Sequence, residues 1–233
     1  MSTINQLLQA DVEPFPPLEA ATPEGLIAIG GDLSPQRLIH AYSRGIFPWY
    51  SPGEPILWWS PDPRCIIAVD SFKPKRSLAK NIRNRPHEFK MDCAFEAVIH
   101  ECAAPRDRES GTWISADMQK AYIRLNQMGV AHSAEIWHED ELVGGLYGVA
   151  IGSVFFGESM FSRVQDGSKM ALVHLIAYLQ QWGFTLVDCQ VTSNHMLSLG
   201  AFEIPRAEFS DHLEWAIRQP GKPGRWTRVS AHC

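Results

Sequence analysis

No stretch of this 233-residue chain is long and apolar enough to cross a bilayer. Its first residues, MSTINQLLQADVEPFPPLE, carry no basic segment ahead of an apolar run. Neither a membrane partner nor a secretion signal is therefore expected. Cysteine is scarce and odd in number: Cys65, Cys93, Cys102, Cys189 and Cys233 lie scattered along the chain, which argues against a disulfide framework and suits a reducing cytoplasm. No CxxC, HExxH or HxH spacing occurs and the nine histidines are dispersed, so no metal site is expected. No serine or cysteine stands in a G-x-S-x-G setting, which removes the usual elbow for a nucleophile. Repeats and low-complexity tracts are missing too. What remains, 45% hydrophobic and 20% charged residues, is the make-up of an ordinary globular protein with one large domain or two unequal ones.

Against that background one stretch stands out. FPWYSPGEPILWWSPDPR, from Phe47 to Arg64, sets three of the eight tryptophans among five prolines. Proline removes the backbone donor and restricts its predecessor, so the segment is an ordered loop or a series of turns and not a helix. Its tryptophans are either core plugs under a rigid loop or a surface on which something flat stacks. The stretch also marks a boundary, between a small N-terminal domain (1–62) and a larger one (63–233).

Ser34 as N-cap, Pro35 in the first helical position, an apolar face of Leu38, Ile39 and Tyr42, and Gly45 as the stop predict a helix in the small domain. Beyond the boundary, RCIIAVD (64–70) reads as a strand. Phe95, Val98, Ile99 and Cys102 make one amphipathic helix, and Met118, Tyr122, Leu125 and Met128 another, capped by Ser115. HSAEIW, ELVGGLYGVAI and SVFFGESMF read as strands turning at 138–140 and at Gly152. Ser168 is read as the cap of a long helix ended by Gly183, followed by the strand FTLVDCQV, a short helix from about Asn194 to Gly200, and an extended tail. Runs of helices and strands of this kind give an α+β fold. Their order resembles the Gcn5-related N-acetyltransferase fold, which implies a mainly antiparallel central sheet flanked by helices, with donor and amine meeting at a splayed pair of strands.

Three sets of residues carry chemical possibilities. Asp188 and Gln190 sit at i and i+2 of a strand and so share a face, with Cys189 turned away. An acid and an amide in an apolar strand must be paired or used, and Asp188 also fits a partner for a buried arginine. Glu158 stands among Phe155, Phe156, Met160 and Phe161, where a charge needs a reason unless that strand edge is wet. KPKRSLAKNIRNR (73–85) carries Lys73, Lys75, Arg76, Lys80, Arg83 and Arg85 with no acid between them. On a chain of net charge −5 this is a segregated patch suited to phosphates, or else a solvated helix face. The junction SRVQDGSKMAL before the long helix holds one glycine, where acyl-CoA enzymes of the Gcn5 type cradle pyrophosphate in a glycine-rich turn. That counts against a CoA-dependent acyltransferase.

GGDLSPQRLIHAYSRGIFPWYSPGEPILWWSPDPR, ELVGGLYGVAIGSVFFGESMFSR and DCQVTSNHMLSLGAFEIPR closely resemble the bacterial leucyl/phenylalanyl-tRNA–protein transferase family, over about residues 25–206. The resemblance implies transfer of Leu or Phe, and less well Met, from aminoacyl-tRNA to proteins beginning with Arg or Lys, which are then degraded by the N-end rule pathway. It implies Trp49 and Trp113 around the terminal adenosine, and an apolar pocket from Leu146, Met160, Val187, Tyr122 and Ser162. It further implies the basic run along the tRNA backbone, and Asp188, Gln190 and Glu158 as catalytic residues. Gln190 would accept the amine's hydrogen bond, Asp188 would polarise Gln190, and Glu158 would position the aminoacyl amino group or the cationic acceptor. The donor ester is already activated, so no cofactor is expected, and a monomer suffices. A noncatalytic tRNA-binding module is the remaining alternative; the isolated acids count against it.

Overall fold

In a computed structural model the described residues are 14–104 and 112–227. Two sheets and seven helices make an α+β architecture. The first helix, α1 (Pro35–Tyr42), begins as its sequence dictates: the Ser34 side chain accepts a hydrogen bond from Arg37 N, and Pro35 fills the first position, a cap worth about 1 kcal/mol. The tryptophan-rich stretch is more regular than a loop. Its ends are strands, β2 (Phe47–Pro48) and β3 (Leu57–Trp59), which form a three-stranded sheet in the order β1-β3-β2 with β1 (Leu26–Ile29). Trp58 is buried and its indole N–H donates to Gly30 O at 2.8 Å.

The second sheet has seven strands. Introduced in chain order, they are β4 (Arg64–Ala68), β5 (Glu88–Met91), β6 (Ala131–His138), β7 (Glu141–Ile151), β8 (Val154–Ser162), β9 (Leu186–Gln190) and β10 (Phe202–Ile204). Their spatial order is β10-β4-β9-β8-β7-β6-β5, antiparallel except for β8 beside β9. The helices are α2 (Arg76–Asn84), α3 (Phe95–Ala103), α4 (Ala116–Gln127), α5 (Gly167–Gln181), α6 (Asn194–Ser198) and α7 (Arg206–Ala216). One hydrophobic cluster, with Tyr42 and Trp58 on the small-sheet side and Tyr122, Tyr147 and Phe156 on the other, runs between the two sheets. A second cluster lies on the opposite face, beneath α5.

Several elements depart from the sequence reading. The extended tail contains β10 and α7; Phe209, Leu213 and Ala216 are the buried face of α7. The basic run, read as a phosphate patch or a helix face, contains the helix α2 with Lys73 and Lys75 before it and Arg85 after it; Leu78 is the helix's buried residue. The long helix α5 is capped at Asp166, in a left-handed backbone conformation, and not at Ser168, which is buried in the first turn. Gly167 there serves packing: a Cβ on it would lie 2.9 Å from Val143 O, and one on Gly144 would lie 2.6 Å from the Gly167 carbonyl carbon. Helix and strand meet backbone to backbone, which only paired glycines permit. Cys65, Cys102 and Cys189 are free thiols.

Candidate active site

The parallel pair β8/β9 holds together for three residues, Val154↔Leu186, Phe155↔Val187 and Phe156↔Asp188, and then the strands part. The splay expected from the element order is therefore present. Two irregularities lie beside it. On β8, Tyr147↔Ser159 is followed by Gly148↔Gly157, so Glu158 is an extra residue in the ladder. On β9, Cys65↔Gln190 is followed by Ile66↔Asp188, so Cys189 is extra there. Bulges redirect the side chains around them. Here they break the regular alternation: Asp188, Cys189 and Gln190 all line one cavity, although Cys189 is expected on the far face, and Gln190 has φ = 63°.

That cavity, about 410 Å³, opens where the strands diverge. Leu146, Met160 and Val187 give it an apolar wall, and Trp49 and Trp113 stand on it as well. Trp49 is 46% exposed. The N–H of half-buried Trp59 donates to Trp49 O at 2.7 Å, fixing the backbone that presents the exposed ring.

Glu158 is the centre of the polar network. Its Oε1 accepts from Tyr42 Oη at 2.7 Å and from Gln190 Nε2 at 2.7 Å, and its Oε2 accepts from Tyr122 Oη at 3.0 Å. The two tyrosine hydroxyls also touch each other. What exposure Glu158 retains faces the cavity, and little water surrounds the carboxylate. Burial pushes it up to about 7, against the pull of its three donors, and Asp188 adds to the rise. Both tyrosines are raised, chiefly by burial, and so remain protonated donors. A carboxylate held in this way can take up a proton near neutrality, since a hydroxyl can turn from donor to acceptor without breaking the network.

Asp188 has the buried arginine partner that its sequence setting allows. It is fully buried and forms a two-pronged pair with Arg64, Nε to Oδ1 at 2.8 Å and Nη2 to Oδ2 at 2.6 Å. The guanidinium lies 5.0 Å from the Phe47 ring centre and 4.6 Å from that of Phe209. The contact of Asp188 with Gln190 is to its backbone N–H, at 2.9 Å, and not to its amide side chain. Asp188 therefore sets the kinked backbone of Gln190, while Glu158 holds the amide N–H of this cavity-lining side chain.

The structure brings Glu158, Gln190, Asp188, Trp49, Trp113, Leu146, Met160 and Val187 to this one cavity. Tyr122 stands behind Glu158 as a hydrogen-bond donor. Ser162 lies outside the cavity, at the start of α5, where its hydroxyl accepts from Ser168 N at 2.7 Å. The basic run is apart from it: Lys73, Lys75, Arg76, Lys80 and Arg83 are exposed, and half-buried Arg85 donates to Gln165. Sequence reasoning missed Tyr42 and Arg64. A lone cation leading the apolar run RCIIAVD was the available signal for Arg64; for Tyr42, read as part of an apolar face, there was none.

A family model described as leucyl/phenylalanyl-tRNA protein transferase matches residues 66–214, and one for that transferase's N-terminal domain matches residues 31–62. A leucyl/phenylalanyl-tRNA–protein transferase of Nitrosomonas europaea is 56% identical over 215 residues, 91% of each chain. This chain belongs to the leucyl/phenylalanyl-tRNA–protein transferase family. A relative of the same name from Nitratidesulfovibrio vulgaris is 52% identical over 221 residues, 94% of each chain. Among solved structures, a GCN5-related N-acetyltransferase-like protein from Streptococcus suis overlaps 70% of this chain and 62% of its own, with 12% identity and a TM-score of 0.36. The family is one of aminoacyltransferases; the cavity between β8 and β9 has an apolar wall, the exposed ring of Trp49, the half-buried ring of Trp113 and the Glu158 carboxylate. Among the described residues no group of three or more metal-ligating side chains occurs, and no helix is long and apolar enough to cross a membrane.

Proposed function

We propose that this protein transfers Leu or Phe, and Met less well, from aminoacyl-tRNA to the α-amine of proteins beginning with Arg or Lys, marking them for N-end rule degradation, and that it does so as a monomer. The observation that carries this reading is the cavity where β8 and β9 part, which sets a carboxylate of pKa about 7 behind an amide carbonyl and beside an apolar wall. The terminal adenosine packs against Trp49 and Trp113, a platform that suits any unpaired base. The Leu or Phe side chain lies along Leu146, Met160 and Val187, where the thioether of Met160 accommodates two shapes. The basic run on α2 follows the acceptor-arm phosphates. α6 links the two regions: His195 and Met196 stand on the cavity, while Ser198 and Leu199 share a groove with Lys75.

The reaction forms one C–N bond and breaks one C–O bond. The acceptor amine attacks the ester carbonyl carbon, the ribose oxygen leaves, and the proton lost by nitrogen ends on that oxygen. An α-amine has a pKa of about 7.7–8.0, so a useful fraction is neutral near pH 7. A carboxylate set directly against it would favour its charged, unreactive form. Gln190 stands between them: its Oε1 accepts from the amine while its amide N–H is held by Glu158. Gln190 Oε1 takes the proton lost by nitrogen as its Nε2 gives one to Glu158, and the reverse exchange delivers a proton to the ribose oxygen, with Tyr42 and Tyr122 redistributing their hydrogen bonds. Arg64 and Asp188 fix Gln190 in position.

The test is transfer of labelled amino acid from charged tRNA to peptides differing in their first residue. Leu and Phe should pass to peptides beginning with Arg or Lys, Met should pass more slowly, and Ile, branched at Cβ, should not pass. Absence of Leu transfer to an Arg peptide would overturn the reading.

A further inference from the structure

A cationic first residue in the acceptor calls for an unpaired negative charge near the amine, and the cavity's own acids do not supply one. Asp188 is matched by Arg64 through two hydrogen bonds in a fully buried pair. Glu158 is held by three donors and serves the proton. A third acid lies on the same sheet. Glu203, on β10, pairs with Cys65 on β4, and Cys65 pairs with Gln190 on β9. This row sets Glu203 two strand spacings from Gln190, roughly 10 Å.

The side chains confirm the common face. The Cys65 thiol lies beside Cys189, which lines the cavity, and near Thr192; Thr192 Oγ1 in turn donates to Glu203 Oε1 at 2.5 Å. Thr192 lies between the cavity residues Val191 and Ser193. The Glu203 carboxylate is thus one hydrogen bond from a residue whose chain neighbours line the cavity, and it is exposed and in no ion pair among the described residues. Between it and Gln190 the wall is uncharged.

We propose that Glu203 selects the basic first residue of the acceptor, pairing with its guanidinium or ammonium while the α-amine sits at Gln190. Arginine and lysine, the two long cationic side chains, span the interval, with the Glu203 side chain covering the rest. This rests on the transfer reaction proposed above and adds the residue that reads the acceptor.

The experiment compares wild type and Glu203→Gln on two peptides, one beginning with arginine and one with citrulline, its uncharged isostere, using Leu-tRNA as donor. Wild type should favour arginine in kcat/KM, and the substitution should shrink the arginine-to-citrulline ratio by up to about fivefold, as expected for an exposed ion pair, mainly by raising KM for the arginine peptide. Tm and tRNA binding of the variant establish that it is folded. If the variant keeps the wild-type ratio, or if wild type uses both peptides equally well, Glu203 is not the selector. If wild type transfers nothing to the arginine peptide, the transfer reading itself fails, and this inference with it.

Discussion

At the scale of single residues, Glu158 accounts for most of what the site does. Its pKa of about 7 in the folded protein lies above the ordinary 4.5, and the sign of the consequence follows. A raised carboxyl pKa adds stability at low pH, where the group is protonated in both folded and unfolded states, and loses it as pH rises through about 7. The loss amounts to at most about 3 kcal/mol. Denaturation from pH 4.5 to 8 should therefore show Glu158→Gln gaining on wild type across that interval; a constant difference would mean that the carboxyl titrates normally. The tryptophans divide in a similar way. Trp49 is exposed on the cavity and Trp58 is buried. Trp49→Ala should weaken aminoacyl-tRNA use by the equivalent of about 1–3 kcal/mol at unchanged Tm, whereas Trp58→Ala should cost about 3–5 kcal/mol of stability. Glu158 and Gln190 were legible as polar residues in apolar strands. Their partners were not: Tyr42 lies 116 residues from Glu158, and Arg64 lies 124 from Asp188, and no local pattern records such a pairing.

At the scale of elements, the site is made by two bulges beside the point where a parallel strand pair comes apart. Strand periodicity located β8 and β9, yet it placed Cys189 on the wrong face, because one extra residue in a ladder is invisible to a period of two. α1 and α4 were readable because Ser34 and Ser115 cap them with their side chains. β10 and α7 were not, since α7 begins at Pro205 without a side-chain cap and its apolar residues follow an element ended by Gly200. The Arg64–Asp188 pair ties β4 to β9, and its removal is asymmetric. Arg64→Leu leaves a buried carboxylate unmatched and should cost about 3–5 kcal/mol in urea titration. Combining it with Asp188→Leu should recover much of that loss while transfer stays impaired. A double variant no more stable than Arg64→Leu would show that the pair is not what holds the strands together.

At the scale of the whole molecule, charge is segregated. The net charge is −5, yet α2 presents an exposed basic face. Replacing Lys73, Lys75, Arg76, Lys80 and Arg83 by glutamine should weaken binding of tRNAs of every identity about equally and flatten the dependence of affinity on salt. A loss confined to one tRNA would contradict a backbone contact. In the proposed reaction this grip delivers the charged end to a cavity in which an amide and a buried carboxylate handle one proton, with no covalent enzyme intermediate. The most direct test is the single-turnover rate of Leu transfer to an arginine peptide from pH 5.5 to 9, in wild type and in Glu158→Gln. The account predicts that the wild-type rate rises through pH 7 as Glu158 ionises, and that the variant is slower and keeps only the rise due to the acceptor amine at higher pH. A variant with the wild-type rate and profile would contradict it.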